Sequence, residues 1–363
     1  MTSRERVKTT LEHKIPDRIP CHMNATTWVV EKMLKHFGVK EQHEVLDALH
    51  IDTLDTRGLN LRNGIMPLFK GPQHPLLTKE WSGNILELWG VKEQVMSTPD
   101  GRMFGQTEYP LQAADSLEDL KKFQWPDPGW FDYSTMRSRL LMHKDRSIIA
   151  TGGSVWQHPS YVRGLDTLMM DMLSEPELAT YLFDVFTEFY VGFFTRILDQ
   201  AGDLIDSIAL ADDLGMQNSL MISPALFEEF VGPNIKKFAD LAHSYDCSLI
   251  LHSDGNIRSI IPNLISLGVD VLDPMQPEAV GMDMVEIKRE FGKDLVFRGG
   301  ISTQQTLAYG NKKDVAEEVK RVIDILGKDG GYICSPGHPV LQEDVPIENI
   351  ITMYETAYEY GKY

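Results

Sequence analysis

Eight short runs rich in β-branched residues recur along the 363-residue chain, separated by longer stretches of helical character. That alternation constrains the fold more than any other feature, because parallel strands need crossover helices between them. The runs are Arg18–Met23, Asp52–Arg57, Ser147–Thr151, Asp206–Ala211, Ser248–His252, Val269–Asp273, Leu295–Arg298 and Tyr332–Cys334. Several are apolar on both faces, as buried parallel strands must be. The helical stretches carry their own punctuation. Ser223-Pro224 supplies an N-cap followed by a first-turn proline. Val315, Val319, Val322, Ile323 and Leu326 repeat at helical spacing, and Pro346 precedes a last helix at about Ile347–Tyr360. Eight strands in this rhythm predict an α/β fold, a (β/α)8 TIM barrel. The length would allow two domains at roughly 150 residues each, but the strand tally predicts a single domain over 1–363.

One region departs from the rhythm. Residues from about 60 to 133 hold Trp81, Trp89, Trp125 and Trp130, many prolines, and short alternating runs such as Ile85-Leu86-Glu87-Leu88-Trp89-Gly90-Val91. This reads as an insertion after strand 2 containing a β-hairpin. It would either lid the barrel mouth or pack as a decoration without a catalytic part.

Composition narrows the partners. Lys plus Arg is 35 and Asp plus Glu is 53, a formal charge of −18. Nucleic-acid backbones and anionic membranes are poor partners for such a surface. No run reaches the roughly 18 apolar residues of a membrane span, and the charged N-terminus lacks a signal-peptide core. A cytoplasmic protein is expected, with a homodimer as the base-rate oligomer. The three cysteines, Cys21, Cys247 and Cys334, form no CxxC pair, which excludes a four-cysteine zinc ribbon and a disulfide framework.

A barrel of this kind carries its site at the C-terminal ends of its strands. The polar residues there are Asn24, Arg57, Ser154 with His158 and Tyr161, Asp212 with Asp213, His252 with Asp254, Gln276, Arg298, and Cys334 with His338. His252 and Asp254 sit at i and i+2, on one face of an extended strand. They would share a metal, form a His–Asp orienting pair, or simply hydrogen-bond locally. Cys334 and His338 flank a Pro-Gly turn and offer either two more ligands or a buried thiol and a turn histidine. Adjacent carboxylates on an extended chain point to opposite faces, so one of Asp212 and Asp213 is expected in the mouth. Arg298 would clamp a carboxylate or phosphate, or pair with Asp273 or Asp213. No GxSxG, P-loop or GxGxxG stands at a strand–helix junction, which weighs against hydrolase, kinase and dinucleotide chemistry.

Several ordered segments resemble the uroporphyrinogen decarboxylase superfamily. They are Ala211-Asp-Asp-Leu-Gly-Met216, Ser223-Pro-Ala-Leu-Phe227, Leu251-His-Ser-Asp-Gly-Asn256, Gly268-Val-Asp-Val-Leu-Asp-Pro-Met-Gln276, Phe297-Arg-Gly-Gly300 and Pro336-Gly-His338 with Pro346-Ile-Glu-Asn349. Arg4-Glu-Arg-Val7 through Pro16-Asp-Arg-Ile-Pro20 is similar too. The resemblance implies a (β/α)8 barrel and two branches of activity. In the decarboxylases, arginines in the first loop and an aspartate after the second strand bind a polycarboxylate. Here the first loop, Met23-Asn-Ala-Thr-Thr-Trp28, has no arginine, and the aspartate position looks apolar near Leu59, although Tyr161 and His338 match. In the corrinoid-dependent methyltransferases, zinc is held by His-x-Cys and a later cysteine. The matching positions here are His252, Asp254 and His338, with Cys334 nearby.

A carboxylate and an imidazole in place of two thiolates make a harder, more Lewis-acidic set, suited to polarising an ether oxygen. The expected function is therefore zinc-assisted transfer of a methyl group between a small O-methyl donor, such as an aryl methyl ether, and a corrinoid protein. The cobalamin would be carried by that separate protein. His252, Asp254, Cys334 and His338 are the candidate metal ligands. Asp212, Asp213, Tyr161 and His338 are the candidate catalytic groups, and Asn24, Arg57, Trp156, Gln276 and Arg298 would bind substrate. The competing readings are a metal-independent decarboxylase or lyase of a small carboxylic acid, and a non-catalytic binding protein on a degenerate barrel.

Overall fold

The computed structural model describes residues 1–62, 64–72, 84–98 and 101–363, so Trp81 lies outside the described residues. Seven parallel strands form one curled sheet. In chain order the strands are β1 (Thr53–Asp55), then a separate hairpin of β2 (Lys92–Thr98) and β3 (Gly101–Glu108), then β4 (Ser147–Gly153), β5 (Ile205–Ala211), β6 (Ser248–His252), β7 (Val271–Met275), β8 (Val296–Ile301) and β9 (Tyr332–Pro336). The sheet order is β9-β8-β7-β6-β5-β4-β1. Helices follow the strands, among them the 26-residue Pro176–Ala201 and the last helix, Ile347–Tyr360. No described helix is long and apolar enough to cross a membrane.

The expected first strand, Arg18–Met23, is not a regular strand. Its middle residues nonetheless bond to both edges of the sheet: Cys334 N donates to Pro20 O at 2.8 Å, and Asp52 N donates to Cys21 O at 2.9 Å. An ion cluster fixes this seam. Asp52 takes Arg6 Nη1 at 2.7 Å, Arg18 Nη1 at 2.8 Å and Cys21 N at 2.9 Å, and Asp17 takes Arg6 Nε at 2.6 Å. The charged N-terminal motifs thus have a structural use here.

The core has two layers. Residues of the outer sheet face join the helices in one large cluster. A smaller cluster holds Val7, Ile149, Ala209, Ile250, Val271, Val296 and Ile333, one residue from each of six strands plus the first helix. These are the inward positions of the sheet, closed from below by Val7. Side chains on a strand return to the same face every two residues. The next inward level is therefore Thr151, Ala211, His252, Asp273 and Arg298, and all five line a cavity of about 490 Å³. Apolar floor and polar site are successive turns of one period.

The aromatic-rich region differs from its sequence reading in one respect. Ile85–Leu88 is a short helix capped by Asn84, whose side chain accepts from Leu86 N. The hairpin follows it, as β2 and β3. Met103, Phe104 and Gln106 of β3 line the cavity, Phe104 stacks on Trp28 at 5.2 Å, and Arg102 Nη2 donates to Glu343 Oε1 at 2.8 Å. Trp89 lies in the core, its indole N–H on Tyr190 Oη at 2.8 Å.

Candidate active site

Three elements place the central group. β6 ends on His252, in register with Ala211 of β5 and Asp273 of β7. Asp213 follows β5 and Asp254 follows β6. His252 Nε2 lies 3.3 Å from Asp213 Oδ1 and 3.7 Å from Asp254 Oδ2. Among the described residues, Asp213, His252 and Asp254 are the one group of three ligand types close enough to hold a metal ion. His338 adjoins it, with Nε2 3.5 Å from Asp254 Oδ2.

The hydrogen bonds behind the two imidazoles decide which nitrogens face inward. His252 Nδ1 donates to Asp273 Oδ2 at 3.1 Å, and Asp273 is itself held by Arg298 Nε at 2.6 Å. His338 Nδ1 donates to Val340 O at 3.0 Å. Each ring therefore turns Nε2 toward the carboxylates, with its tautomer set from behind, the arrangement that supports a ligating histidine. Asp273 was named from sequence only as a possible partner of Arg298. Its position two residues beyond Val271 on an inward face was the signal that it reaches the site.

Charge points the same way. Burial disfavours an imidazolium at His252, yet hydrogen bonds to Asp213 and Asp273, with Asp254 nearby, raise its pKa well above the ordinary value. Burial pushes Asp213 up, but His252 overrides it and brings the carboxyl down to about 2. Burial raises Asp254, and its Oδ1 is buried without a hydrogen-bond partner. Several carboxylates crowd one imidazole, and one oxygen waits for a partner, so the donor set fits a divalent cation. Oxygen and nitrogen atoms about 3.3 Å apart are also the spacing that metal bonds of roughly 2.0–2.2 Å create.

The Asp212–Asp213 pair divides as adjacent residues should. Asp212 turns away from the cavity and accepts from Ser154 Oγ at 2.6 Å, Val155 N at 3.0 Å, Trp156 N at 2.7 Å and Gln157 N at 2.9 Å. It anchors the start of the helix Gln157–Arg163; its place is structural, not catalytic. Asp213 enters the mouth, held by Gln157 Nε2 at 2.6 Å.

Of the remaining expected residues, Asn24, Arg57, Tyr161 and Arg298 line the cavity with the central group. Three do not. The Trp156 ring is buried against Phe183, because the indole belongs to the helix-facing core. Cys334 is a fully buried free cysteine on β9, its backbone paired with that of Cys21 across the seam, so it stands below the mouth and outside the candidate metal triad. Gln276 supports the Asp254 loop, accepting from Gly255 N at 2.7 Å, and borders a neighbouring cavity beside His338.

The acid delivered by the second predicted strand is Asp55, not a residue near Leu59. Asp55 lines the cavity, accepts from Thr151 Oγ1 at 2.5 Å and Arg57 N at 2.9 Å, and is lifted by burial to about 6. His158 also lines the cavity, and burial holds its pKa down to about 3.

Comparison with known proteins bears on this cavity. The uroporphyrinogen decarboxylase (URO-D) family profile matches residues 104–360. The chain belongs to the uroporphyrinogen decarboxylase family. Among solved structures, a methyltransferase from Methanosarcina mazei superposes with a TM-score of 0.67 at 17% identity, covering 99% of each chain. This family member therefore shares its fold from end to end. A second structure, IOLI protein with a bound zinc atom, aligns at 11% identity over 69% of this chain and 84% of its own, with a TM-score of 0.34. That agreement is too loose to inform the site. No curated protein matches the chain.

Proposed function

We propose that this URO-D family member is a methyltransferase that moves a methyl group between a small O-methyl donor, such as an aryl methyl ether, and a corrinoid protein. We also propose that the chain closes as one (β/α)8 barrel, with residues from about 60 to 133 inserted after strand 2 and over its mouth. The observation that carries the functional reading is the Asp213–His252–Asp254 triad with its orphaned Asp254 Oδ1. Those three residues, with His338 beside them, would hold zinc. Bound there, zinc would supply Lewis acidity to the ether oxygen whose bond to methyl must break. Asp273 and Arg298 hold His252 in its ligating orientation. Tyr161, its hydroxyl pKa raised by burial, keeps its proton and would donate a hydrogen bond to the oxygen left when the methyl departs. Phe104 and Leu86 offer apolar walls to a ring. The cobalamin would arrive on a separate protein at the mouth.

The deciding test is metal analysis combined with methyl transfer. Purified protein should carry stoichiometric zinc that a His252→Ala variant loses, and it should methylate a reduced corrinoid protein from a methoxyarene. A metal-free protein that still turns over substrate sinks this reading.

One observation favours a second reading, a metal-independent decarboxylase of a small acid. Asp55 and Arg57 stand together in the cavity, and among the described residues no side chain forms an ion pair with Arg57. Carbon dioxide release that survives metal chelation would select it.

A further inference from the structure

The cavity has a second wall, opposite in character to the metal triad. Asn24 Nδ2, Arg57 Nε and Arg298 Nη1 are all buried without a hydrogen-bond partner, and all three residues line the cavity. Asn24 is 3% exposed and Arg298 5%. Arg298 spends Nε on Asp273 and leaves Nη1 free. Among the described residues, the Arg57 side chain forms no hydrogen bond or salt bridge. Asp55 meets its backbone N–H instead, and the guanidinium feels Asp55, Tyr190 and Glu93 only through longer-range fields, with Arg62 opposing them. A buried cation without an ion pair is costly unless something anionic meets it.

A fourth donor follows from hydrogen-bond logic. An indole N–H can only donate, so the Trp89 Nε1–H bond leaves Tyr190 as acceptor there. The one proton of the Tyr190 hydroxyl is then free to point at its other close partner, His158 Nδ1. A neutral imidazole that accepts at Nδ1 must carry its hydrogen on Nε2. His158 therefore presents a fixed N–H donor, and its ring borders the cavity beside Tyr161, 6.2 Å between centroids.

Resting on the methyl-transfer reading, we propose that the methyl donor carries a carboxylate, bound by Arg57, Arg298, Asn24 and the Nε2–H of His158, with Trp89 and Tyr190 as positioning residues that fix the His158 tautomer. A carboxylate offers two oxygens and about four lone-pair sites to these donors. The apolar side chains of Leu86, Met103 and Phe104 lie between hairpin and barrel on the same cavity, which suits a ring or chain linking the carboxylate to the ether. The donor wall disfavours a neutral ether of the same size, because binding it would leave buried donors unpaired.

The test compares two probes on the zinc-loaded enzyme by calorimetry, 4-methoxybenzoate and methoxybenzene. The carboxylate should bind at least tenfold more tightly. Arg57→Gln should erase that difference while leaving methoxybenzene unchanged. Tyr190→Phe should let the Nδ1–H tautomer of His158 appear in its ring 15N shifts and should weaken 4-methoxybenzoate alone. Equal affinity for the two probes on the unmodified enzyme overturns the proposal, as does a loss in Arg57→Gln that falls on both probes alike. Tight binding of 4-methoxybenzoate with no methyl transfer refutes the methyltransferase reading instead. Demethylation of methoxybenzene with no affinity for the carboxylate refutes only the carboxylate site.

Discussion

Asp212 and Asp213 are neighbours in sequence with separate duties, and the separation can be measured. Asp212→Asn keeps one acceptor oxygen, enough for Trp156 N and Gln157 N, which now bind Oδ1 at 2.7 and 2.9 Å. The Ser154 hydroxyl also stays on Oδ1, but the new amide NH2 replaces Oδ2, the oxygen that Val155 N meets at 3.0 Å in the wild type, and every remaining bond loses its charged acceptor. A buried donor set against a donor costs about 1–3 kcal/mol, and the bonds to a neutral acceptor are weaker than those to a charged one, so about 3 kcal/mol is expected after local adjustment. With roughly 2.1 cal/mol/K of unfolding entropy per residue over 363 residues, that lowers Tm by about 4 °C. Zinc content should stay at the wild-type level. Asp213→Asn should do the reverse. Its side chain is partly exposed and contacts His252, Gln157 and Asp254 N, all of which an amide can still meet or turn from. Its Tm without metal should move by about 1 °C or less, within the range of ordinary surface changes. Zinc affinity should fall by more than the ~10–100-fold that losing a mere supporting residue costs. Differential scanning fluorimetry on chelated protein and zinc titration against a fluorescent chelator read the two effects. If Asp212→Asn loses zinc while Asp213→Asn retains it, the division of the pair is wrong. Equal destabilisation by both would be equally damaging.

Three further outcomes are expected. Asp52→Ala leaves Arg18 buried without a carboxylate and Arg6 with Asp17 alone and should cost ~3–5 kcal/mol in urea unfolding with zinc binding unchanged; a loss under 1 kcal/mol (about the worth of a surface pair) would deny the seam its ion cluster. Asp55 has a folded pKa of about 6 against roughly 3.9 unfolded, so the folded state binds the extra proton between those values and stability due to this group falls as pH rises through them. Asp55→Asn should therefore be more stable than wild type by ~2–3 kcal/mol above about pH 7, with the gain gone by about pH 4; a gain that grows on acidification would reverse the sign and the argument. Glu343→Gln weakens the ion pair that ties Arg102 of the hairpin to Glu343, which Lys32 also contacts, so limited proteolysis within 92–108 should quicken while Tm barely moves; unchanged cleavage would show that stacking of Phe104 on Trp28 suffices.

The strand pattern was legible because burial on both faces leaves near-continuous apolar runs. β6 matches its predicted bounds, and the other sheet strands lie within a few residues of theirs. Arg18–Met23 was the exception: its chain bonds to both edge strands through residues 20–22 without regular pairing, and such closure depends on partners more than 30 residues away. The Ile85–Val91 alternation misled for a related reason. A period of two and a single helical turn are alike over four residues, and the Asn84 cap decided for the helix. At the site, residue types at strand ends were visible, but their directions were not. Cys334 and His338 are four apart, yet Cys334 sits within β9 facing the seam with Cys21, while His338 lies past the turn beside Asp254.

What joins the correct and the missed assignments is the two-residue period itself. Counting inward from the apolar floor selects Thr151, His252, Asp273 and Arg298 in one step. That count would have put Asp273 behind His252 and returned Cys334 to the wall. It works because Ile149, Ala209, Ile250, Val271 and Val296 have one apolar neighbour layer in common, so each next inward residue stands at the mouth. Those residues supply the Asp273–Arg298 pair that orients His252 in the candidate metal triad, and the free Nη1 of the donor wall. In this curled sheet the floor is the reference from which the site must be read.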